Sequence, residues 1–265
     1  MITNINNEKK YYFIFDVDDT LTNPKSVIDY ETTLIINKLS KYGLISIVGG
    51  GTFDNIERQL QPISDIIEYY FTENGTVTYN KDKKLIKKLN ITDVLSKEYL
   101  IQLNNFILKY LSQLKLPFKR GTFIELRNGL INVSPIGRNC TLDERKLFYD
   151  YDKENNVLYN LKESLNEYIS NNYNKQYLKS NNSNLIVSYG GKISLDIYPE
   201  NWNKSMCLNF IECEKYNIAF FGDRIFKGGN DYAIAKDKRV NIYYKILNNN
   251  HLKEVLNDLL YKFYK

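Results

Sequence analysis

The stretch FDVDDTLT (residues 15–22) places three carboxylates within four positions, directly after the apolar run YYFIF (11–15). Like charges this close together need water, a cation or hydrogen-bond donors around them. An acidic turn, a solvated helix cap and the start of a calcium-binding loop would each explain the pattern. The calcium loop is excluded, because its sixth position is Leu21 instead of glycine and its twelfth is Val27 instead of glutamate. The rest of the chain must decide between a plain turn and a functional group of carboxylates.

The composition is that of a soluble globular protein. The chain has 265 residues, 43% of them hydrophobic and 25% charged, which suits one large domain or two modest ones. Its first ten residues are polar and no apolar run approaches membrane-spanning length, so we expect a cytoplasmic protein without membrane contacts. Three cysteines without metal-type spacing fit a reducing compartment. The net charge of +5 is spread along the chain, which favours small anionic ligands over nucleic acid.

The sequence contains almost no histidine that could take part in catalysis. The only histidine, His251, lies in the polar segment NNNHLKEVL (248–256), which predicts the start of a surface helix. Mechanisms that need a histidine base or a zinc ion are therefore disfavoured. Any catalysis must rest on carboxylates, lysine and arginine.

Short apolar strands alternate with helical patterns at both ends of the chain. The alternation predicts an α/β core, formed by residues 1–85 and 201–265, whose parallel sheet is covered by helices on both faces. The predicted strands cover residues 11–15, 44–48, 217–221 and 240–246. The predicted helices cover residues 29–42 (closed by Gly43), 53–60, 204–212, a stretch after Asp231, and 251–264.

The middle of the chain, residues 86–200, follows a different order that predicts an inserted α+β cap domain with an antiparallel sheet backed by two helices. Its predicted elements are a helix at 96–114, a hairpin that turns at Asn128-Gly129, a helix at 142–169, a disordered loop at 170–184, and strands at 184–189 and 192–198 joined by Gly190-Gly191. Apolar and polar residues alternate along these strands, so one face of the sheet should pack on the helices. The other face is polar, and solvent exposure alone would account for it.

Four separate motifs carry chemical groups, and their order and spacing together are more informative than any one of them. Asp16 and Asp18 follow the first strand, at the end where open α/β sheets bind ligands. The glycine-rich stretch GGGT (49–52) follows the second strand, and its backbone amides can cradle a phosphate. Lys204 opens a helix. NIAFFGD (217–223) ends a third strand, and six residues separate its Asp223 from Asn230-Asp231.

With D-x-D-x-T, Lys204 and GD-x6-ND, the chain resembles the haloacid dehalogenase (HAD) superfamily of phosphotransferases. More closely, it resembles the eukaryotic phosphomannomutase family over nearly its whole length. The segments that carry this resemblance are FDVDDTLT (15–22), IVGGG (47–51), ENGTV (73–77), KRGTFIELRNGLINVSPIGR (119–138), ISLDIYPENWNK (193–204) and FFGDRIFKGGND (220–231). The cap segment at 119–138 is far more specific than the superfamily motifs. The implied fold is a HAD-like Rossmannoid core with an inserted cap.

The resemblance implies a role for each residue of the core motifs. Asp16 would be the nucleophile that forms an aspartyl phosphate, with Asp18 as general acid and base. Mg²⁺ would be held by Asp16, the Asp18 carbonyl and Asp223. Supporting roles are implied for Lys204, which would hold the phosphoryl oxygens, for Asn230 and Asp231, which would orient the ligands, and for Gly50 and Thr52 of the glycine-rich turn.

The resemblance also implies how a substrate with two phosphates is bound. Arginine suits the second phosphate, because its planar fork binds two oxygens at once. The implied substrate ligands are Arg127, Arg138, Arg145 and Ser194 for the phosphate, Asp196 for the sugar hydroxyls, and Lys25. Because Ser194 and Asp196 lie on the polar face of the predicted cap sheet, this reading favours function over simple solvent exposure for that face.

The expected reaction is the interconversion of mannose 6-phosphate and mannose 1-phosphate through a hexose 1,6-bisphosphate, which would also be the activator. The reaction would supply GDP-mannose synthesis. A sugar-phosphate phosphatase and a weakly active or non-catalytic phosphosugar-binding protein remain as alternatives. The preference for mannose over glucose stays open. The resemblance also implies a homodimer formed through the cap, although the apolar stripe of helix 96–114 would equally serve to back the cap's own sheet.

The chain departs from the family pattern at four places. Asp19 stands where the family has glycine, and Gly51-Thr52 stands where it has serine and aspartate. Asn203 replaces an aspartate before Lys204, and Lys25 replaces an arginine that contacts substrate. None of these changes removes the implied nucleophile or a metal ligand. They put the level of activity in question.

Overall fold

The computed structural model describes residues 9–172 and 184–264, and the account of the fold is limited to these. The chain forms two compact units, one running to Lys88 and resuming at Asn203, the other spanning Leu89–Trp202. The predicted divisions fall after residues 85 and 200. In the part of the chain that is described, no helix has the length and apolar character needed to cross a membrane.

The first unit is built on a seven-stranded sheet with the order β11-β10-β1-β2-β3-β4-β5. Its strands are β1 (Lys10–Phe15), β2 (Gly43–Val48), β3 (Ile67–Thr72), β4 (Val77–Asn80), β5 (Leu85–Lys88), β10 (Tyr216–Gly222) and β11 (Ile242–Lys245). The strands from β11 to β3 are parallel, whereas β4 and β5 run antiparallel to their neighbours. The sequence analysis predicted the parallel core but missed β3, β4 and β5.

Helices cover both faces of this sheet. The α-helices are α1 (Tyr30–Leu39), α2 (Phe53–Leu60), α6 (Tyr232–Ala235) and α7 (Asn249–Phe263), and 3₁₀ segments span Gln61–Ile66, Glu73–Gly75, Lys204–Phe210 and Cys213–Lys215. Along β1, Phe13 and Phe15 pack into one apolar cluster while Tyr12 and Ile14 pack into another. A strand buried on both faces reads as a continuous apolar run, which explains the sequence YYFIF.

Three predicted details of the first unit differ from the structure. Gly43 does not close α1, because the helix ends at Leu39 and Gly43 opens β2, where a Cβ atom would collide with the Tyr11 carbonyl oxygen. The segment predicted as a helix at 204–212 is a 3₁₀ helix that ends at Phe210. The last helix begins two residues before its predicted start, because Asn248 caps it by accepting a hydrogen bond from the His251 amide.

The second unit contains a four-stranded antiparallel sheet with the order β6-β7-β9-β8. Its elements are α3 (Lys97–Gln113), β6 (Ile124–Leu126), β7 (Ile131–Val133), α4 (Leu142–Asn155), α5 (Val157–Asn172), β8 (Leu185–Tyr189) and β9 (Leu195–Pro199), with a 3₁₀ turn at Ile91–Asp93. The hairpin of β6 and β7 turns at the predicted Asn128-Gly129 and is closed by a bond from the Arg127 amide to the Leu130 carbonyl.

The prediction of a single helix at 142–169 is wrong. Asn156 adopts a left-handed conformation, with φ 53° and ψ 34°, and separates α4 from α5. Asparagine tolerates this conformation better than most residues. The Asp152 carboxylate then accepts a hydrogen bond from the Leu158 amide at 2.8 Å and so caps the second helix. The described residues of this unit therefore form three α-helices instead of the two predicted. Most of the loop predicted at 170–184 lies outside the described residues.

The predicted alternation in the cap sheet is confirmed. Ile131, Val133 and Leu195 lie in one apolar cluster with residues of α3 and α5. Asn132 and Ser188 lie on either side of Asp196 in the strand register, and all three side chains are buried. The second unit thus presents a polar sheet face that is closed to bulk water.

Candidate active site

The carboxyl ends of β1 and β10 hold the first group of predicted site residues. Asp16 follows β1, and its amide donates a hydrogen bond to the Phe221 carbonyl of β10 at 2.9 Å. Asp223 follows β10 directly. Because the two strands are parallel neighbours, their last residues lie at the same edge of the sheet. The fold therefore brings together two carboxylates that are 207 positions apart in the sequence (223 minus 16).

Lys204 brings a positive charge to this group. Its Nζ donates to Asp16 Oδ1 at 2.5 Å and to Asp231 Oδ1 at 2.6 Å, with the lysine side chain 1% exposed. The preceding Asn203 caps the 3₁₀ segment, since its Oδ1 accepts hydrogen bonds from the Ser205 amide and hydroxyl. Asparagine thus supplies the acceptor that aspartate would supply at this position. The start of the 3₁₀ segment, where Lys204 lies, is therefore fixed.

The carboxylates of Asp16, Asp223 and Asp231 form one cluster, with an oxygen of each within 4.8 Å of the others. Burial raises the pKa of Asp16 well above its ordinary value, and Lys204 opposes this effect. Burial and the charge of Asp231 raise the pKa of Asp223 to about 7. Burial also acts against the charged form of Lys204, but the adjacent Asp16 and Asp231 outweigh it and raise the lysine pKa. Arg224 Nε lies 3.7 Å from Asp223 Oδ2, so Lys204 and Arg224 together oppose three carboxylates and leave the cluster short of positive charge.

A divalent cation fits the carboxylate cluster. Three carboxylates face two cations, Lys204 and Arg224, which leaves an excess of negative charge, and Mg²⁺ prefers oxygen ligands of this kind. The neighbouring Asn230 is 8% exposed, and its Oδ1 has no hydrogen-bond partner within residues 9–172 and 184–264. This buried amide oxygen beside the cluster is therefore a further candidate ligand for the cation.

Asp18 does not belong to the carboxylate cluster. Its side chain is exposed, and its Oδ1 accepts a hydrogen bond from Gln59 Nε2 at 2.9 Å. The sequence analysis did not single out Gln59, because a glutamine on an amphipathic helix carries no motif. Asp19 has φ 62°, a conformation that suits glycine, the residue expected at this position from the resemblance described above. Aspartate is among the few other residues that adopt it readily.

The glycine-rich turn after β2 is tied to the end of β3. The Gly49 amide donates to the Phe71 carbonyl, the Asn74 amide to the Gly49 carbonyl, and the Glu73 amide to the Gly51 carbonyl. Gly50 lies in this turn, where an added Cβ would meet Asn74 Oδ1 at an ordinary contact distance of 3.5 Å.

Two other predicted residues of the first unit are Thr52 and Lys25. Thr52 caps α2 without a side-chain bond to the helix backbone, and its hydroxyl accepts from Asn55 at 3.0 Å. Lys25 is exposed and has φ 63°. It lies in the segment between β1 and α1 that also carries Asp18.

The three predicted arginines of the second unit lie near one another. Arg127 Nη2 donates to Glu125 Oε2 at 2.6 Å, and Arg138 Nε lies 3.7 Å from the same oxygen. Burial lowers the pKa of Arg138, and the charges of Arg127 and Arg145 lower it further. The sequence analysis missed Glu125. Burial opposes its ionisation, yet the bond from Arg127 and the arginine charges leave its pKa lowered overall.

Arg145 projects from α4 without a full set of partners. Its Nε and Nη2 atoms are buried and have no hydrogen-bond partner in the part of the chain that the structure describes. The Ser194 hydroxyl is likewise buried and unpaired there. Asp196 accepts from Asn132 Nδ2 at 2.7 Å, and a Cβ atom at Gly190 would come within 2.6 Å of its carboxylate. Arg145 and Ser194 therefore hold buried donors that lack an acceptor among the described residues.

The comparisons with known proteins agree with this geometry. The family model described as eukaryotic phosphomannomutase matches residues 32–262. Phosphomannomutase from Dendrobium officinale is 42% identical over 228 residues, which cover 85% of each chain. Phosphomannomutase 2 from Dictyostelium discoideum is 38% identical over 251 residues, which cover 94% of this chain and 96% of that one.

The fold is also shared with solved structures. A haloacid dehalogenase-like hydrolase from Bacteroides thetaiotaomicron superposes with a TM-score of 0.55 at 12% identity, covering 95% of this chain and 100% of that one. An identity this low speaks for the fold alone, which is the HAD-like core with a cap. The family model and the curated relatives each span most of the sequence, and on their evidence this chain belongs to the eukaryotic phosphomannomutase family.

Proposed function

We propose that the protein is a phosphomannomutase that interconverts mannose 6-phosphate and mannose 1-phosphate through a hexose 1,6-bisphosphate. The observation that carries the proposal is the buried contact of Lys204 with Asp16 and Asp231. A carboxylate that is fixed in this way, beside a cation, is arranged for attack on a phosphoryl group.

Asp16 is the nucleophile in this proposal. One of its oxygens forms a bond to phosphorus while the bond between phosphorus and the sugar oxygen breaks, which leaves an aspartyl phosphate. Asp18 gives its proton to the departing sugar oxygen and takes a proton back when the sugar attacks the aspartyl phosphate from its other hydroxyl. Lys204 donates hydrogen bonds to the phosphoryl oxygens. Asp231 holds the ammonium group in place through its 2.6 Å contact.

Mg²⁺ is the proposed cofactor of the core site. Asp16, Asp223 and the Asp18 carbonyl would hold it, with Asp231 and Asn230 as orienting neighbours. When bound, the ion offsets the negative charge that builds up around the transferring phosphoryl group. The support for this assignment is the shortage of positive charge in the carboxylate cluster.

The arginines of the second unit favour a mutase over a phosphatase. A mutase must retain a bisphosphate and therefore needs two groups of phosphate ligands, whereas a phosphatase needs one. Arg127, Arg138 and Arg145 crowd one another, and a phosphate dianion would relieve that repulsion. Ser194 would add a hydroxyl donor, and Asp196 would accept from sugar hydroxyls. The same bisphosphate would serve as the activator that phosphorylates the resting enzyme.

The proposal also covers the use of the product, the location of the protein and its association into a dimer. The product mannose 1-phosphate would supply GDP-mannose synthesis in the cytoplasm, and two copies would associate through their second units. Supporting this association, Ile101 and Leu108 of α3 are about half exposed. Sedimentation at micromolar concentration tests the dimer, and a monomer there contradicts it.

A single assay tests the proposed reaction. The protein is incubated with mannose 1-phosphate, Mg²⁺ and a catalytic amount of glucose 1,6-bisphosphate, and mannose 6-phosphate and free phosphate are followed together. The expected result is many equivalents of mannose 6-phosphate per bisphosphate added, and none with Asp16→Asn. Release of free phosphate without isomerised sugar would instead establish the phosphatase, and absence of both would establish the non-catalytic alternative.

A further inference from the structure

Gln59 bonds to the segment that carries Asp18 at three points. Its Nε2 donates to Asp18 Oδ1 at 2.9 Å and to the Thr22 hydroxyl at 3.0 Å. Its backbone carbonyl accepts from the Ile28 amide at 2.8 Å. The side chain is 4% exposed although its helix, α2, lies at the surface of the first unit. Because its Nε2 donates both hydrogen bonds to the same loop, the buried side-chain amide of Gln59 has a definite orientation.

The segment itself has little other means of fixing the Asp18 side chain. The Thr22 amide donates to the Val17 carbonyl and the Asp19 amide donates to the Thr22 carbonyl, so the backbone forms a closed turn. The Asp18 carboxylate nevertheless points to solvent, and in the described structure Gln59 is the side chain that donates a hydrogen bond to it. With Oδ1 engaged by Gln59, Oδ2 is the oxygen left for a substrate.

We infer that Gln59 is a positioning residue of the reaction, which holds the Asp18 carboxyl group so that Oδ2 exchanges the proton with the sugar oxygen. This inference rests on the proposed function and deepens it. Proton transfer requires the acid to lie within hydrogen-bond reach of the departing oxygen, and a freely rotating carboxyl group on a surface loop meets that requirement only part of the time.

A positioning role for Gln59 and a purely structural role predict different effects of replacing it. Replacing Gln59 should slow only those reactions in which the departing oxygen needs a proton. A sugar hydroxyl is such a leaving group, since it departs as an alcohol. Nitrophenolate departs as a stable anion and needs no proton, so the phosphorylation of Asp16 by 4-nitrophenyl phosphate should proceed without help from Asp18.

The test compares Gln59→Met, which keeps the length of the side chain but loses both donors, with the wild type on these two substrates. With glucose 1,6-bisphosphate, kcat for phosphoryl transfer should fall by about tenfold to a hundredfold, a part of the usual contribution of a general acid. The KM should change by less than about twofold, because Gln59 does not contact the sugar in this assignment. The first-turnover release of nitrophenolate should stay within about threefold of the wild type.

Controls separate this role from damage to the fold. Gln61 is exposed and lies two positions further along, so Gln61→Met should leave both reactions unchanged. Gln59→Glu keeps the shape but turns a donor into a second carboxylate, and should slow the sugar reaction at least as much as Gln59→Met. Equal losses on both substrates, or no loss on either, would overturn the inference.

Failure of the proposed function would be visible separately. A wild-type protein that hydrolyses the bisphosphate without isomerising sugar contradicts the mutase, but the comparison of the two leaving groups still applies. If the wild type transfers no phosphate at all, amide hydrogen exchange decides whether Gln59 holds the segment. The amides of Asp19 and Thr22, which close the turn that the Gln59 side chain holds, should exchange at least about tenfold faster in Gln59→Met, and unchanged exchange there would contradict the contact's role.

Discussion

Lys204 lies 2.5 Å from Asp16 although 188 positions separate the two residues in the chain. The chain leaves the first unit after Lys88 and returns to it at Asn203, one residue before this contact. The ion pair therefore joins the two segments that together form the first unit. Both side chains are almost completely buried, so each charge depends on the other and on Asp231.

Removing the lysine charge should destabilise the protein strongly. In Lys204→Met, Asp16 and Asp231 lose their buried counter-ion, and breaking a buried pair costs about 3–5 kcal/mol. The matched control is Lys215→Met, since Lys215 pairs with Glu212 while both side chains are about two-thirds exposed. That change should cost less than about 1 kcal/mol. Urea unfolding in the presence of EDTA measures both, and similar small losses would show that the buried pair is not structurally important.

Magnesium should stabilise the folded protein independently of turnover. Binding to the native state alone adds about 2.7 kcal/mol at a concentration one hundred times Kd. The rise in unfolding temperature on adding Mg²⁺ should disappear in Asp223→Asn, which removes a proposed ligand. It should persist in Asp258→Asn, because Asp258 is an exposed residue of α7. An equal rise in both variants would place the ion elsewhere.

The pair of Glu125 with Arg127 should make stability depend on pH in the acid range. The pKa of Glu125 is below its unfolded value, so its stabilising contribution is complete above about pH 4.5 and is lost as pH falls through the folded pKa. Glu125→Gln should therefore be less stable than the wild type at pH 6, and the difference should shrink towards pH 3. Guanidinium unfolding across this range checks the sign. A difference that grows on acidification would mean that Glu125 is destabilised by its surroundings.

Arg145 should matter more for isomerisation than for hydrolysis. Its two buried donors lack partners in the described structure, and each contact to a phosphate is worth roughly 1.5–3 kcal/mol. In Arg145→Ala, the bisphosphate should be released before it can react again. The ratio of isomerised sugar to free phosphate should therefore fall by about tenfold or more. Arg120→Ala is the control, since Arg120 is half exposed and pairs with Glu144. Equal loss of both products in Arg145→Ala would remove the case for a second phosphate site.

The sequence predicted the parallel core well because burial on both faces leaves uninterrupted apolar runs. The runs YYFIF and LISIV gave β1 and β2 almost to the residue. By contrast, β3 follows a 3₁₀ segment directly and contains the mixed sequence IEYYFT, which has no separate signal. The break at Asn156 was missed because apolar spacing continues across it from α4 into α5. A single left-handed residue changes the direction of a helix without changing its periodicity.

The site could be predicted where motifs end strands, and could not be predicted where helices contribute single side chains. Asp16 and Asp223 follow β1 and β10, so their proximity follows from a parallel pairing. Gln59 and Glu125 carry no motif, and their roles depend on three-dimensional neighbours that a sequence pattern does not encode. The positive φ of Asp19 is a conformation that both glycine and aspartate adopt, so aspartate is compatible with a position where glycine was expected.

Phosphorylation of Asp16 tests the central claim most directly. The protein is mixed with glucose 1,6-bisphosphate and Mg²⁺, quenched within one turnover, digested and analysed by mass spectrometry. The proposed mechanism predicts one phosphate on the peptide that contains Asp16, sensitive to hydroxylamine as an acyl phosphate is, and absent from Asp16→Asn. Isomerised sugar formed without that phosphate, or a stable phosphate on another residue, would contradict the account.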